Sequence, residues 1–119
     1  MSNAHLSANV RQQDRVTVID LDGEINGTSE ESLNRAYAQA SSQNPAAVLL
    51  NFTQVDYINS TGIALIVGLL AQARKSKHPL MTYGLSSHYQ EIFRITRLSD
   101  FMSMFADEAS ALKSATGDK

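Results

Sequence analysis

Between Pro45 and the polar residues beyond Phe52 the chain reads Ala46-Ala47-Val48-Leu49-Leu50-Asn51-Phe52, apolar at every position but one. A half-buried strand alternates apolar and polar side chains, and an amphipathic helix repeats them every three or four residues. A short run with neither period fits a strand covered on both faces. Double coverage is the condition of parallel strands, whose connections lay helices across the sheet. The run therefore predicts the central strand of an α/β domain.

The flanking segments fit that frame. Val16-Thr17-Val18-Ile19-Asp20-Leu21 is β-branched and alternating, with Val16, Val18 and Ile19 inward, and reads as a strand ending in a tight turn at Asp22-Gly23. Glu24-Ile25-Asn26 briefly resumes extended structure. A first helix is predicted over about 29–41, capped by Thr28 or Ser29, with Leu33, Ala36, Tyr37 and Ala40 on its inward stripe. A second spans about 60–75 and buries Ile63, Ile66, Val67, Leu70 and Ala73, with close packing on the sheet offsetting the helix-weakening Gly68. Residues 79–84 form the next strand. Ser86 and Ser87 cap a short helix through about Ile95, and 98–105 is an apolar segment leading to a terminal helix near Asp107. Residues 5–12 are a weak candidate for an edge strand. Met81, Phe101, Met102, Met104 and Phe105 are read as core beneath the last helix.

Composition excludes several classes. With 119 residues, 43% of them hydrophobic, the chain is one domain with room for a core, and a net charge of −2 leaves no basic footprint for nucleic acid. The absence of cysteine removes disulfides and thiolate metal sites. The longest apolar stretch, 63–71 with Gly68 inside it, falls short of the roughly 20 residues that cross a bilayer. Residues 1–4 lack signal-peptide character, and Ser2-Asn3-Ala4 resembles a tag remnant. His5, His78 and His88 have no metal-ligand spacing and are read as surface residues. Asp20, Asp22 and Glu24 alternate as a solvated face does. No nucleophile elbow or phosphate-binding Gly-rich loop is present. We therefore expect no metal, no cofactor and no enzyme activity.

Chemistry concentrates in Asp56-Tyr57-Ile58-Asn59-Ser60-Thr61-Gly62, a strand-to-helix connection ahead of an apolar helix. Asn59, Ser60 and Thr61 can each cap that helix, with Ser60 as the expected start. A hydroxyl there lies at the positive end of the helix dipole, where a phosphate is electrostatically favoured. Capping alone also accounts for such a serine, so the pattern by itself leaves both roles open.

Wider context carries a resemblance. Gly23-Glu24-Ile25-Asn26, the apolar strand ending in Asn51-Phe52, the segment Tyr57 to Gly68 and Tyr83-Gly84-Leu85-Ser86 together resemble the STAS domain, and within it the stand-alone bacterial anti-sigma-factor antagonists. The resemblance implies a four- or five-stranded mixed sheet with about four helices mainly on one face. It places the domain at 10–115, after a loose or edge-strand segment 1–9 and before a loose tail 116–119. It also implies phosphorylation of Ser60 by an anti-sigma serine kinase, reversal by a serine phosphatase, and a partner surface of Glu24, Asn26, Asp56, Asn59, Ser60, Thr61 and Gly62. The unmodified antagonist would bind the kinase and free a sigma factor in the bacterial cytoplasm; a homodimer is allowed. Asn26 and Asn59 stand where many antagonists carry Asp. That departure slightly favours an alternative, a non-switching STAS scaffold subunit of a transport or signalling complex. A hydrolase or ligand-binding domain built on acids near Glu24 and Asp56 would require a deep pocket beside them.

Overall fold

A computed structural model describes residues 6–115. The expectations for residues 1–4, for His5 and for the tail 116–119 concern residues outside that range.

Five strands form one sheet in the order β1-β2-β3-β4-β5: β1 Ser7–Gln13, β2 Val16–Ile25, β3 Ala47–Ile58, β4 Leu80–Tyr83 and β5 Ser103–Phe105. β1 pairs antiparallel with β2 through a two-residue connection in which Asp14 takes a left-handed φ of 59°, and all later pairings are parallel. Helices fill the crossovers: α1 Glu30–Ser41, α2 Ser60–Ser76, α3 Ser87–Ile95, and after β5 the last helix, α4 Glu108–Ala115.

The uninterrupted apolar run is explained by coverage on both sides. Val48, Leu50 and Phe52 face the larger core with α1, α2 and α3, where Phe93 meets Phe52 edge-on at 6.2 Å between ring centroids. Ala47 and Leu49 face the other way, into a thinner layer with Val16, Val18, Met81 and Ala111 of α4. β2 alternates in the same manner, so Val16 and Val18 lie under α4 while Ile19 and Leu21 enter the larger core. Leu33, Ala36, Tyr37 and Ala40 of α1 are buried as their spacing requires.

Several expectations are corrected. Asp22-Gly23 is not a turn: β2 runs through it with register shifts on either side, and Gly23 absorbs the irregularity at φ 114°, a conformation side chains rarely adopt. β3 likewise continues past Phe52 through Asp56 and Tyr57, which puts those residues on a strand rather than in a loop. On α2 the buried set is Gly62, Ile66, Leu69, Leu70 and Ala73, with Val67 exposed and Ile63 half-buried. Gly68 packs on nothing: a Cβ there would find no atom within 4 Å. Phe101 is exposed rather than core. A three-residue strand, β5, lies inside the segment read only as apolar.

The second face is held by polar contacts as well. Arg11 of β1 makes paired hydrogen bonds with two carboxylates, Asp20 (Nε–Oδ2 2.6 Å, Nη2–Oδ1 3.1 Å) and Glu108 (Nη2–Oε1 2.6 Å, Nη1–Oε2 3.2 Å). Asn51 donates to Asp20 at 2.8 Å, and the Tyr83 hydroxyl donates to Glu108 at 2.8 Å. These contacts anchor the start of α4 to β1, β2, β3 and β4. The Arg11 hydrogen bond, ahead of opposing burial, holds the Glu108 carboxyl below its ordinary range. Burial works against ionising Asp20, but hydrogen bonds from Arg11 and Asn51 prevail and lower its pKa as well. Burial first, and donation to Glu108 second, push the Tyr83 phenol up to about 12.

Candidate functional site

Beyond Asp22 on β2 and Asn51 on β3, the described residues give these strands no partner except each other. They continue as a two-stranded ribbon, Glu24 opposite Tyr57 and Ile25 opposite Ile58. Ile25 and Ile58 are buried and tie the ribbon to the core. The turn into α2 is then one residue long. Asn59 donates its backbone N–H to the Ile25 carbonyl at 3.1 Å, and its side chain caps the helix by accepting from the Gly62 N–H at 2.8 Å.

Capping is thus the work of Asn59. Ser60 is the first helical residue, exposed, and neither it nor exposed Thr61 is engaged in a side-chain hydrogen bond among the described residues. Gly62 is buried against the ribbon: a Cβ at that position would lie 2.2 Å from the Ile25 carbonyl oxygen. That close approach seats the start of α2 on the end of β2.

Asn26 organises the opposite side. Its side chain caps the 3₁₀ turn Gly27–Ser29, accepting from the Thr28 N–H (2.9 Å) and hydroxyl (2.7 Å), while its amide donates to Glu24 Oε1 at 3.0 Å. An Asp could accept the first two bonds but could not make the third. Ser29 completes the turn, accepting from the Asn26 N–H and donating to the Glu24 carbonyl. A Cβ added at Gly27 would come within 3.7 Å of the Thr61 methyl carbon, so the turn lies beside the helix start.

The structure therefore gathers Glu24, Asn26, Asn59, Ser60, Thr61 and Gly62 at the adjoining ends of β2 and β3. Asp56 lies on the same ribbon, exposed and without an ion pair among the described residues. Tyr57, which also stands in the motif, is 51% exposed on the same surface, opposite Glu24. The segments that build this surface, 16–34 and 51–73, contain no lysine or arginine, so the surface is acidic and neutral. Concavities of 130–620 Å³ elsewhere on the molecule are lined by other residues, and no group of three or more metal-ligating side chains exists among the described residues. No helix among them is long and apolar enough to cross a membrane.

The chain is thus a mixed α/β sheet, antiparallel only at β1, with a serine heading the helix after its central strand. The STAS domain profile matches residues 7–111, and the chain belongs to the STAS domain family. It is 26% identical over 102 residues to the anti-sigma-B factor antagonist of Listeria monocytogenes, covering 86% of this chain and 89% of that one. To the putative anti-sigma factor antagonist BtrV of Bordetella bronchiseptica it is 28% identical over 92 residues, 77% of each. Among solved structures, an anti-sigma factor antagonist from Mycobacterium paratuberculosis superposes with a TM-score of 0.83 at 16% identity, covering 97% of both chains. Unphosphorylated SpoIIAA superposes at 0.76 with 20% identity, covering 95% of this chain and 99% of that one.

Proposed function

We propose that this protein is an anti-sigma-factor antagonist whose partner, an anti-sigma serine kinase of the bacterial cytoplasm, docks on the surface around Ser60. Glu24, Asn26, Asp56, Asn59, Thr61 and Gly62 frame that surface. The kinase phosphorylates Ser60 and is thereby rejected, and a serine phosphatase restores binding. The observation that carries the reading is the division of labour at the head of α2: Asn59 caps the helix, leaving the exposed Ser60 hydroxyl uncommitted. SpoIIAA, a structural relative, occurs in unphosphorylated and phosphorylated forms.

The electrostatics give the switch its sign. A phosphoserine adds about −1.5 to −2 charge. It would stand among Glu24 and Asp56 on segments that bring no cation to neutralise it. Burying it beneath a partner costs desolvation plus like-charge repulsion, several kcal/mol in such contacts, or at least about 100-fold in affinity. With a one-residue connection and a seated Gly62, the effect is a change of surface charge on a fixed scaffold.

The test is mass spectrometry of protein from its native cells, with and without phosphatase, coupled to partner binding by Ser60→Ala and Ser60→Asp. A reversible phosphate on Ser60, retention of the kinase by Ser60→Ala and its loss by Ser60→Asp are expected. Equal binding by both variants, with no phosphate under any growth condition, would refute the switch. That outcome would favour the second reading, a constitutive scaffold subunit of a transport or signalling complex. Asn26 and Asn59, neutral where many antagonists carry Asp, support that alternative.

A further inference from the structure

Three of the four large apolar side chains exposed among the described residues lie away from Ser60: Val67 on α2, Ile95 at the end of α3 and Phe101 in the α3–β5 connection. Val67 and Ala71 on one side and Phe101 on the other wall a groove of about 290 Å³ floored by Leu70 and Leu98. It begins about two turns along α2 from Ser60. Single exposed apolar residues are ordinary, but two of them, Val67 and Phe101, facing each other across one groove with a charged rim mark a contact surface.

Two further features say what the groove receives. Gly68 lies beside Val67 with open space where a Cβ would sit, and Ala64 and Ala71, one turn to either side, are also exposed. Glycine weakens a helix interior, and no contact within the domain compensates here. The small side chains instead let another backbone approach α2 closely, as a packed helix does. The rim is basic. The Arg74 guanidinium stacks on Phe101, 4.9 Å from its ring centroid, and no carboxylate lies within ion-pair distance of it among the described residues. Arg97 also lines the groove, where it holds exposed Asp100. A second copy docked through the same face would offer Arg74 only Asp100, a carboxylate that Arg97 already holds.

We propose that this groove is a docking seat for an acidic amphipathic helix of a partner protein, which inserts one large apolar side chain between Val67 and Phe101 and sets carboxylates against Arg74 and Arg97. The seat goes beyond the Ser60 switch and does not depend on modification of that serine. Helix-in-groove recognition of this kind draws affinity from an apolar anchor and specificity from flanking charge.

A synthetic helical peptide of roughly 16 residues, with leucines on one face and glutamates beside them, is the probe. It is titrated into isotope-labelled protein alongside the same peptide carrying lysine for glutamate. The acidic peptide should shift the backbone amides of Val67, Gly68, Ala71 and Phe101, bind at least about tenfold tighter than the lysine peptide, and weaken as salt rises. Arg74→Glu should cost about tenfold, and Gly68→Leu, whose Cβ enters open space, should abolish the shifts while the melting temperature does not fall. Failure to perturb those amides at about 1 mM peptide, or equal binding of both peptides, overturns the proposal. So does sedimentation of the protein alone as a dimer that Gly68→Leu dissociates, which would assign the face to a second copy. Ser60→Asp should bind the peptide like the parent, so failure of the seat and failure of the Ser60 switch read out separately.

Discussion

Two glycines of α2, six residues apart, should respond to alanine with opposite signs. At Gly62 the added methyl carbon would start 2.2 Å from the Ile25 carbonyl oxygen and 2.8 Å from its carbon, and Cβ contacts essentially never fall below 3.0 Å. Restoring that minimum requires a displacement of about 0.8 Å, the difference between 3.0 and 2.2 Å, against backbone that cannot rotate away. The same carbonyl accepts from Asn59, whose side chain caps the helix at Gly62, so the displacement strains two hydrogen bonds as well. Overpacking costs about 1–3 kcal/mol and a weakened cap about 1, offset by at most about 1 from alanine's helix propensity. The net loss is about 2 kcal/mol, a fall in Tm of roughly 6–10 °C for a domain of this size. At Gly68 the methyl group enters open space, so Gly68→Ala should gain about 0.5–1 kcal/mol, or roughly 3 °C. Both are read by urea unfolding and thermal melts followed by circular dichroism. A Gly62→Ala protein that melts within about 1 °C of the parent would refute the seating of α2 on β2.

The remaining predictions concern the polar contacts. Asp20 and Glu108 have folded pKa values depressed from 3.8 and 4.5, so their stabilisation is fully present above about pH 4.5 and drains as pH falls through the lower folded values. Acid unfolding followed by near-ultraviolet circular dichroism should show this dependence, and Glu108→Gln should flatten it. In a spectrophotometric alkaline titration of the four tyrosines, Tyr83 should titrate at about pH 12 and Tyr83→Phe should remove that step. Asn26→Asp replaces the amide donor to Glu24 with a second carboxylate and should cost about 1 kcal/mol in urea unfolding, whereas Asn26→Ser should lack the repulsion component.

How much was legible in the sequence depended on whether a signal was local. The buried run at 47–52, the α1 stripe and the Ser86 cap, whose side chain accepts from the Tyr89 N–H, all rest on neighbours a few residues away. The mixed sheet and its helices follow the STAS resemblance, with α4 alone on the second face. The end of β3 was hidden because Gln54, Asp56 and Tyr57 are exposed on a ribbon with one neighbour, leaving no apolar period to read. The buried face of α2 was misphased for the opposite reason: residues 63–71 are apolar on every side apart from Gly68, and Leu69 rather than Val67 goes inward. Arg11 and Glu108, 97 residues apart, left no trace in any window. At the candidate site, Asn59 and Ser60 were both visible as cap residues. Which of them capped was decided by the reach of Asn59 to Gly62.

The thin second layer has a consequence for synthesis. Val16, Val18, Ala47, Leu49 and Met81 are covered by a helix that begins only at Glu108. A chain emerging from the ribosome has completed all five strands before it can close that side. Until then it presents a bare strip of β-branched and aliphatic side chains, with the Arg11 and Asp20 pair waiting for Glu108. A nascent chain exposed from the ribosome only as far as about residue 106 should recruit chaperones or pair with its neighbours on a polysome, and emergence of α4 should end that exposure.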